Sequence, residues 1–470
     1  MKRAIVIGSG PNGLSAAVVL AQAGLAVEVF EAETQPGGAA RSMPLTLPGF
    51  LHDFGSSVYP LGAGSPFFRS LPMRELGLEW VHGDAAVAHP LDDGSAVMLE
   101  HTFAEQEREL GPDGKAWTAL MRPASERWGD FAEDALRPPL HVPRHPLLMA
   151  RFGAHAALPA TSLVSRFYGN RTRALFAGLV GHSLLAFDQL MSSAAGLMLG
   201  ATAPAVGWPV ARGGAQSITN ALMRRLEECG GVVHTGRRIE TLDELDTRDA
   251  IVMCDITPRQ LLRIAGAQLT PAYRRVLERF RFGPGAYKID YALSEPIPWK
   301  AAECRRAMTV HVGGTFEEIA QAEFEVWSGR QAERPYLLVA QPSLFDNTRA
   351  PAGKHTAWAY CHVPNGAKED RTTAIENQIE RFAPGFRDCV LARRVFAPAD
   401  LERMDANLVG GDVNAGEFSL KQVILRPGVR AYRTGTQGLY LCSASTPPGG
   451  GVHGMCGYHA ARAALRDMGV

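Results

Sequence analysis

The chain has 470 residues, of which 46% are apolar and 20% charged, so it is long enough for two or three domains with large cores. Lysine plus arginine and aspartate plus glutamate both number 48, and this balance excludes recruitment of nucleic acid by overall charge. Seven cysteines occur without a C-x-x-C pair. That pattern excludes a disulfide scaffold and a dithiol redox centre, and it gives no metal-binding spacing.

The first thirty-one residues follow the order strand, glycine turn, helix, strand, acid. The β-branched run Arg3 to Ile7 predicts a buried parallel strand, and the turn Gly8 to Gly13 follows it directly. An Ala- and Leu-rich helix is predicted for Leu14 to Ala23, and a second strand for Ala26 to Phe30, which ends on Glu31. This order predicts a dinucleotide-binding βαβ unit.

The residue types within this unit suit a bound dinucleotide. Gly8 permits the tight turn, Gly10 lets the backbone approach a pyrophosphate, and Gly13 lets the helix pack closely on the sheet. The helix begins near Pro11 and Asn12, and its N-terminus offers unpaired N–H groups and a partial positive charge to the phosphates. Glu31 lies at the spacing of a carboxylate that binds the ribose hydroxyls, and its charge disfavours a 2′-phosphorylated nucleotide.

Three further motifs carry a family resemblance. They are Pro36 to Ser42 (PGGAARS), His52 to Leu61 (HDFGSSVYPL) and Gly438 to Gly454 (GLYLCSASTPPGGGVHG). With the N-terminal turn, they resemble the superfamily of phytoene desaturases, carotenoid isomerases and flavin amine oxidases. The closest resemblance is to the phytoene-desaturase-like branch, also called pyridine nucleotide-disulfide oxidoreductase domain protein 2-like. It extends over the whole chain and implies FAD as the cofactor.

The resemblance also implies a fold. We expect an α/β, two-domain flavoprotein with a Rossmann-like FAD domain of the glutathione-reductase type and an inserted α+β substrate domain. The FAD domain is predicted from residues 1–70, 206–284 and 406–470. The substrate domain is predicted from a largely helical segment, 71–205, and a sheet-containing segment, 285–405.

Several cofactor contacts are implied by the resemblance rather than by spacing. Gly38 and Arg41 are expected at the diphosphate, where a guanidinium can bind two oxygens at once. Ile239 is expected to make a backbone contact with adenine, and Ser56 and Ser57 to meet the isoalloxazine ring. The C-terminal loop is expected to meet the ribityl chain and the pyrimidine edge of the flavin through Ser443, Ala444, Gly451, Val452 and His453.

Lys288 is the candidate for the chemical step. It lies in an alternating strand, Gly285 to Leu293, at a place that resembles the lysine by which flavin amine oxidases hold a water on flavin N5. A buried ammonium there would favour reduced flavin and help oxygen to accept an electron. The alternative, a lysine on the solvent face of the strand, carries about equal weight.

The predicted activity is removal of a hydride from a C–H bond of an apolar or amphiphilic small molecule. The chain has no second βαβ fingerprint for a nicotinamide nucleotide, so reoxidation by oxygen or a quinone is expected. Amine oxidation is an alternative, but the stretch 451–454 supplies no aromatic residue for a cage around an amine. An isomerase acting with reduced FAD and a flavin-binding assembly factor without turnover are further alternatives.

The stretch from Ala135 to Leu226 contains nine arginines and a single acidic residue, Asp188. One interpretation is peripheral contact with anionic lipid, and the other is a solvated helical lobe paired with the acid-rich stretch 100–134. We favour the second. The longest apolar stretch, 174–198, carries His182, Asp188 and Gln189, which a spanning helix rarely tolerates, so no membrane span is expected. A cytoplasmic location is expected. Prolines between His141 and His145 break the helix that a metal site would need, so no metal site is expected.

Overall fold

Residues 3–469 are described by a computed structural model, and within them the chain forms sixteen strands and eighteen α-helices. The strands are β1 (Arg3–Ile7), β2 (Ala26–Phe30), β3 (Ser42–Met43), β4 (His52–Asp53), β5 (Trp80–Val81), β6 (Ala85–Pro90), β7 (Ala96–Leu99), β8 (Val210–Ala211), β9 (Val232–His234), β10 (Ala250–Cys254), β11 (Gly285–Leu293), β12 (Ala307–Val312), β13 (Leu337–Ala340), β14 (His355–Val363), β15 (Val390–Phe396) and β16 (Leu439–Leu441). The helices are α1 (Pro11–Gln22), α2 (Pro60–Ala63), α3 (Pro66–Arg69), α4 (Phe103–Leu110), α5 (Gly114–Glu126), α6 (Trp128–Ala135), α7 (Pro146–Ala156), α8 (Ala160–Leu163), α9 (Asn170–Gly181), α10 (Ser193–Val206), α11 (Gln216–Glu228), α12 (Pro258–Ala265), α13 (Pro271–Glu278), α14 (Phe316–Trp327), α15 (Thr372–Phe382), α16 (Pro398–Met404), α17 (Leu420–Ile424) and α18 (Met455–Asp467). Residues 1, 2 and 470 of the predicted FAD-domain segments lie outside the described part.

A five-stranded parallel sheet has the order β16-β10-β1-β2-β9, so its strands come from three distant stretches of the chain. Ile7 is in register with both Phe30 and Cys254, and Cys254 is in register with Leu441. The strands therefore end at one edge, where their next residues come together. Ligands of open parallel sheets bind at this carboxyl edge. The expectation of an α/β fold with a Rossmann-like parallel sheet is confirmed.

Helix α1 is buried along most of its length because it packs between α18 and α11. A helix that is apolar on all sides belongs in a core. Its approach to α18 is very close: a Cβ added to Gly457 would lie 1.8 Å from the carbonyl oxygen of Asn12. Glycine at this position brings the first turns of the first and last helices together at the carboxyl edge of the sheet.

A second sheet is mixed and has seven strands, in the order β15-β11-β14-β13-β12-β6-β7. Its pairs are antiparallel except for β12 with β6. Helices α9 and α10 pack with α5 and α14 in a helical layer, and a core of buried aromatic and aliphatic residues joins this layer to the sheet. The sheet takes β6 and β7 from the stretch predicted to be largely helical.

The connection between β9 and β10 is short. It contains one 3-10 turn, Leu242–Glu244, with Thr241 and Glu244 forming a capping box. No β-meander is formed in this connection within the described chain.

Across residues 3–469, we find no individual helix with both the length and the apolar composition needed to cross a bilayer. Helix α7 and the residues Ala160–Arg166 meet these criteria only as a pair, and they are bent by 96° relative to each other.

Candidate functional site

The glycine turn between β1 and α1 is as compact as the sequence predicts. Gly8 has a φ of +96°, and its N–H donates to the carbonyl of Phe30. A Cβ added to Gly13 would lie 2.2 Å from the carbonyl oxygen of Gly8, so no larger residue fits there. Gly10 has no room either, because its Cβ would lie 2.6 Å from a carboxylate oxygen of Asp255. The glycines therefore allow the backbone of the turn to lie close against the N-terminus of helix α1.

Glu31 is buried at the end of β2 and is held by three hydrogen bonds. Its Oε2 accepts from the N–H and the hydroxyl of Ser9, at 2.9 Å and 2.6 Å. Its Oε1 accepts from the N–H of Glu33 at 2.9 Å. An ionised carboxylate has about four acceptor positions, so one remains on Oε1 for a ribose hydroxyl.

The second turn, 36–42, lies directly against the first. A Cβ added to Gly38 would be 3.3 Å from the Cα of Gly10. Arg41 lies beneath this turn, where its Nε donates to the Gly38 carbonyl at 2.6 Å and an Nη donates to the Met404 carbonyl at 2.7 Å. Its guanidinium also lies 5.2 Å from the centre of the Phe54 ring. The structure therefore brings Gly10 of the first turn next to Gly38, which Arg41 of the same second motif supports.

Two carboxyl groups that the sequence did not single out face the same turns. Asp255 follows β10, and its Oδ2 accepts from the N–H of Gly13 at 2.8 Å. Burial raises its pKa to about 7 against the effect of this hydrogen bond, and the charges of Asp405 and Glu31 raise it further. The pKa of Asp405 is also raised, first by burial, although Arg41 and a backbone hydrogen bond oppose the change. The nucleotide turns are thus surrounded by three acids and one arginine.

The groups left without partners suit a diphosphate. Among residues 3–469, the N–H groups of Gly10, Asn12 and Gly38 have no hydrogen-bond acceptor. The side-chain oxygen of Asn12 is buried and has no partner within the described chain. Free N–H groups at a helix N-terminus, a nearby guanidinium and a free acceptor on Glu31 match a diphosphate followed by a ribose. The residues present therefore fit the dinucleotide.

The turn 52–57 is held by a buried ion pair. Asp53 pairs with Arg349, and its oxygens also accept from the hydroxyls of Ser42 at 2.7 Å and Ser57 at 2.6 Å. Burial alone would raise the pKa of Asp53, but Arg349 and these hydrogen bonds hold it below its usual value. Ser56 is half-buried, and its carbonyl accepts from the hydroxyl of Tyr59. This network fixes the turn that is predicted to meet the isoalloxazine ring.

Lys288 lies under the same turn, and only 4% of its surface is exposed, so the solvent-face alternative does not occur. Its Nζ donates to the Asp53 carbonyl at 3.0 Å and pairs with Asp290 two residues further along β11. Burial raises the pKa of Asp290 to about 6, and the Lys288 charge limits that rise. Burial lowers the pKa of the neighbouring His52 to about 3, and Lys288 and Arg349 lower it further, so this imidazole is neutral.

The C-terminal loop lies between β16 and α18, at the carboxyl edge of the parallel sheet. The hydroxyl of Ser443 donates to the Ile256 carbonyl at 2.7 Å, and the Ala444 carbonyl accepts from Arg426 at 3.0 Å. Gly451 has a φ of +122° and, like Val452, is accessible, whereas His453 is buried. The loop is therefore anchored at its start and open in its middle.

His453 is neutral, because burial lowers its pKa to about 4. Its Nδ1 accepts from the N–H of Met455 at 3.0 Å, which leaves the proton on Nε2. Ile239 lies apart from this loop, in a cluster with Phe30 beside the residues that follow Glu31. These placements agree with opposite ends of an extended dinucleotide, and the individual contacts stay predictions.

The sequence missed Asp255, Asp405, Asp290, Arg349 and Arg426. A signal existed for Asp255, because it directly follows a β-branched run whose carboxyl end meets that of β1. The sequence contains no such signal for Arg349, since its partner Asp53 is 296 residues away.

Comparison with known proteins agrees with this architecture. Residues 6–71 match the family model described as an NAD(P)-binding Rossmann-like domain. The chain is 24% identical to pyridine nucleotide-disulfide oxidoreductase domain-containing protein 2 of Rattus norvegicus, over 99% of this chain and 93% of that protein. It is also 24% identical to phytoene desaturase (lycopene-forming) of Pseudescherichia vulneris, over 99% of both chains.

Solved structures share the fold at lower sequence identity. An oxidoreductase from Methanosarcina mazei matches with a TM-score of 0.66 and 17% identity, over 99% of this chain and 100% of that one. Putrescine oxidase bound to putrescine matches with a TM-score of 0.62 and 16% identity, over 100% and 99% of the two chains. Together with the whole-length relatives, they confirm the resemblance and the cofactor expected from it. Over its whole length the chain is similar to the desaturase and the oxidoreductase-domain protein named above, and it is an FAD-dependent oxidoreductase.

Proposed function

We propose that the protein removes a hydride from a C–H bond of an apolar or amphiphilic substrate and so introduces a double bond. The observation that carries this proposal is the pairing of the charged side chains beneath the turn 52–57. Asp53 pairs with Arg349 and Lys288 with Asp290, while His52 is neutral. Among these described residues, each carboxylate already pairs with a cation, so neither offers an unpaired charge to a substrate ammonium. Apolar substrates need no such partner.

The aromatic residues next to the turn support the same choice. Trp358 donates from Nε1 to the Ser57 hydroxyl at 2.7 Å, and it stacks on Tyr360 with ring centres 5.5 Å apart and an interplanar angle of 21°. Rings that touch each other leave no space for an amine between them. The loop at Gly451 to His453 adds no aromatic ring, so a cage for a substrate nitrogen is not formed by these residues.

The names of whole-length relatives point in the same direction. They include all-trans-zeta-carotene desaturase of Myxococcus xanthus, with 24% identity over 96% of this chain, as well as the lycopene-forming phytoene desaturase. The amine-oxidising neighbours share the fold at 14–16% identity. We therefore rank a hydrocarbon or a long-chain amphiphile above an amine as the substrate.

When bound, FAD supplies the acceptor for the hydride. The N–H groups of Gly10 and Asn12 and the guanidinium of Arg41 would hold its diphosphate, and Glu31 would hold its ribose. Lys288 holds the Asp53 carbonyl and thereby positions the turn 52–57, and its buried charge is our candidate contribution to the chemical step. In the overall reaction the substrate loses a hydride and a proton. Oxygen or a quinone receives them and becomes hydrogen peroxide or a hydroquinone.

Anaerobic mixing of the holoenzyme with paired substrates tests the proposal. Each pair has one chain length and contains a hydrocarbon or polyene and the corresponding primary amine. We expect loss of the yellow colour of oxidised flavin with a hydrocarbon or polyene, and a desaturated product by mass spectrometry. Putrescine serves as a short diamine control.

The other outcomes refute the proposal. Bleaching by the amines alone identifies an amine oxidase. A product that forms only after the flavin has been reduced in advance identifies an isomerase. Retention of colour with every polyene, lipid and amine contradicts hydride removal from all of these substrate classes.

A further inference from the structure

A basic surface cleft lies between the last helix and the loop that precedes α7. Its volume is about 380 Å³, and its lining includes Arg137 from the loop and Arg462 and Arg466 from α18. None of the residues that we assign to the dinucleotide lines this cleft. A volume of this size suits a small ligand or a lipid head group.

The three arginines carry charge that the protein does not neutralise. Within residues 3–469, no carboxylate lies within ion-pairing distance of Arg137, Arg462 or Arg466, whereas Arg144 on the same cleft pairs with Glu133 at 2.9 Å. Arg462 and Arg466 are one helical turn apart, and like charges at this spacing destabilise a helix. An anion bound between Arg462 and Arg466 would attract both guanidinium groups and so offset the repulsion between them.

His459 lies in the wall of the cleft, next to Arg137 and Arg466. Burial lowers its pKa to about 4, and the charges of Arg137 and Arg466 lower it further, although its hydrogen bond to the Leu136 carbonyl has the opposite effect. The ring is a neutral part of the wall and donates from Nε2 to that carbonyl at 2.8 Å. The guanidinium groups are therefore the cations available to a ligand.

A second cavity of about 230 Å³ continues from the basic cleft and shares Pro138, Leu140, Tyr432 and Arg466 with it. Its remaining lining combines apolar residues, among them Ile424 and Val429, with Arg430 and Arg433. Leu140 is 63% exposed and Val429, on the other side, is 77% exposed. Large apolar side chains with this exposure beside unpaired arginines suit a molecule with an anionic head and an apolar tail.

We propose that this cleft binds a phosphate-bearing amphiphile, with the phosphate between Arg137, Arg462 and Arg466 and the hydrocarbon chain against Leu140 and Val429. Guanidinium groups bind phosphate through two parallel hydrogen bonds, which makes arginine well suited to this head group. Such a ligand has two sources, a free amphiphile or a lipid of an anionic bilayer. The proposal does not depend on the substrate of the flavin site.

Binding to the FAD-loaded protein tests the chemistry and its source. The soluble probes are dodecyl phosphate as a monomer, inorganic phosphate and dodecyltrimethylammonium. The bilayer probes are phosphatidylcholine vesicles with and without phosphatidylglycerol. We expect dodecyl phosphate, or the vesicles with phosphatidylglycerol, to bind much more tightly than the corresponding controls. Binding of dodecyl phosphate indicates a free ligand, and binding of the anionic vesicles alone indicates a membrane lipid.

The decisive variant is Arg462→Gln with Arg466→Gln, which keeps two good helix formers but removes both charges. We expect its affinity for the binding probe to fall by about tenfold or more. The matched control is Arg274→Gln with Arg275→Gln, because these arginines are also exposed on a helix and have no carboxylate partner in the described chain. Arg462→Lys with Arg466→Lys should retain most of the binding, and FAD content should be unchanged in all three.

A second variant tests the apolar half of the cleft. Val429→Ser should weaken dodecyl phosphate or vesicle binding, whereas Leu391→Ser, on an exposed strand elsewhere, should not. The proposal is overturned if neither dodecyl phosphate nor the anionic vesicles bind, or if the Arg462/Arg466 variant binds as well as its control. Equal affinity for inorganic phosphate and dodecyl phosphate would overturn the amphiphile assignment.

Discussion

Asp255→Asn is expected to stabilise the protein at alkaline pH. The carboxyl group lies against the glycine turn, and an amide oxygen can still accept the hydrogen bond from the N–H of Gly13. Burial raises the pKa of Asp255 from 3.8 to about 7. Each unit corresponds to about 1.4 kcal/mol, so ionisation costs the folded protein about 4 kcal/mol at pH values above the folded pKa.

The sign of the pH dependence follows from the direction of the shift. Because the folded pKa exceeds the unfolded one, the stability contribution of Asp255 is complete below the unfolded pKa and is lost as the pH rises through about 7. The variant should therefore match the wild type at about pH 4, gain stability relative to it up to about pH 7, and keep that advantage at higher pH. A diphosphate beside the carboxylate adds a second negative charge, so FAD affinity should show the same trend.

Urea midpoints and FAD dissociation constants across this pH range measure the effect. Other buried acids also titrate, so the informative quantity is the difference between Asp255→Asn and the wild type at each pH. Glu333→Gln, at an exposed carboxylate, is the control and should show no such trend. A difference that stays constant with pH would refute the assignment of the raised pKa to Asp255.

The remaining predictions concern the cofactor turn and the buried ion pair. Glu31→Ala should give a colourless protein, and retention of stoichiometric flavin absorbance would refute the ribose assignment. Gly13→Ala should also lose FAD, because its Cβ would lie 2.2 Å from a carbonyl oxygen, whereas Gly129→Ala, with nothing within 4 Å, should keep its absorbance. Lys288→Met should lower the free energy of unfolding by about 3–5 kcal/mol, since Asp290 is left without a cation, and Lys288→Met with Asp290→Leu should recover most of it. Both Lys288 variants should keep FAD but be reoxidised more slowly by oxygen, and an unchanged oxygen rate would remove Lys288 from the chemical step.

The nucleotide-binding half of the fold was predictable because its signals are local. The run from Arg3 to Glu31 contains strand, turn, helix and acid in sequence, and the structure forms β1, α1 and β2 there. The strand Gly285–Leu293 was predicted with the bounds that the structure shows, since turn residues bracket it. Periodicity and turn chemistry determine such elements without information from the rest of the chain.

The electrostatics of the site could not be predicted in the same way. Asp255 contacts Gly13 across 242 residues, and Asp53 pairs with Arg349 across 296. Neither pair has a pattern in the sequence, because each depends on which strands become neighbours. The face of the strand at Lys288 was undecided for a related reason: β11 is buried on both sides, so alternation did not distinguish a solvent face from a core face.

The residues around the nucleotide turns and those beneath the turn 52–57 differ in whether their acids are paired with cations. This difference separates the cofactor-binding part of the site from the catalytic part. Around the nucleotide turns, burial favours the protonated forms of Asp255 and Asp405, so the negative charge that a diphosphate meets there grows as the pH rises. Below the turn 52–57, each acid has its own cation, so a passing substrate meets no net charge. Protonation of the acids beside the nucleotide turns should therefore determine the affinity for FAD. The balanced charge beneath the turn 52–57 suits a reaction in which the bond that breaks belongs to an uncharged carbon.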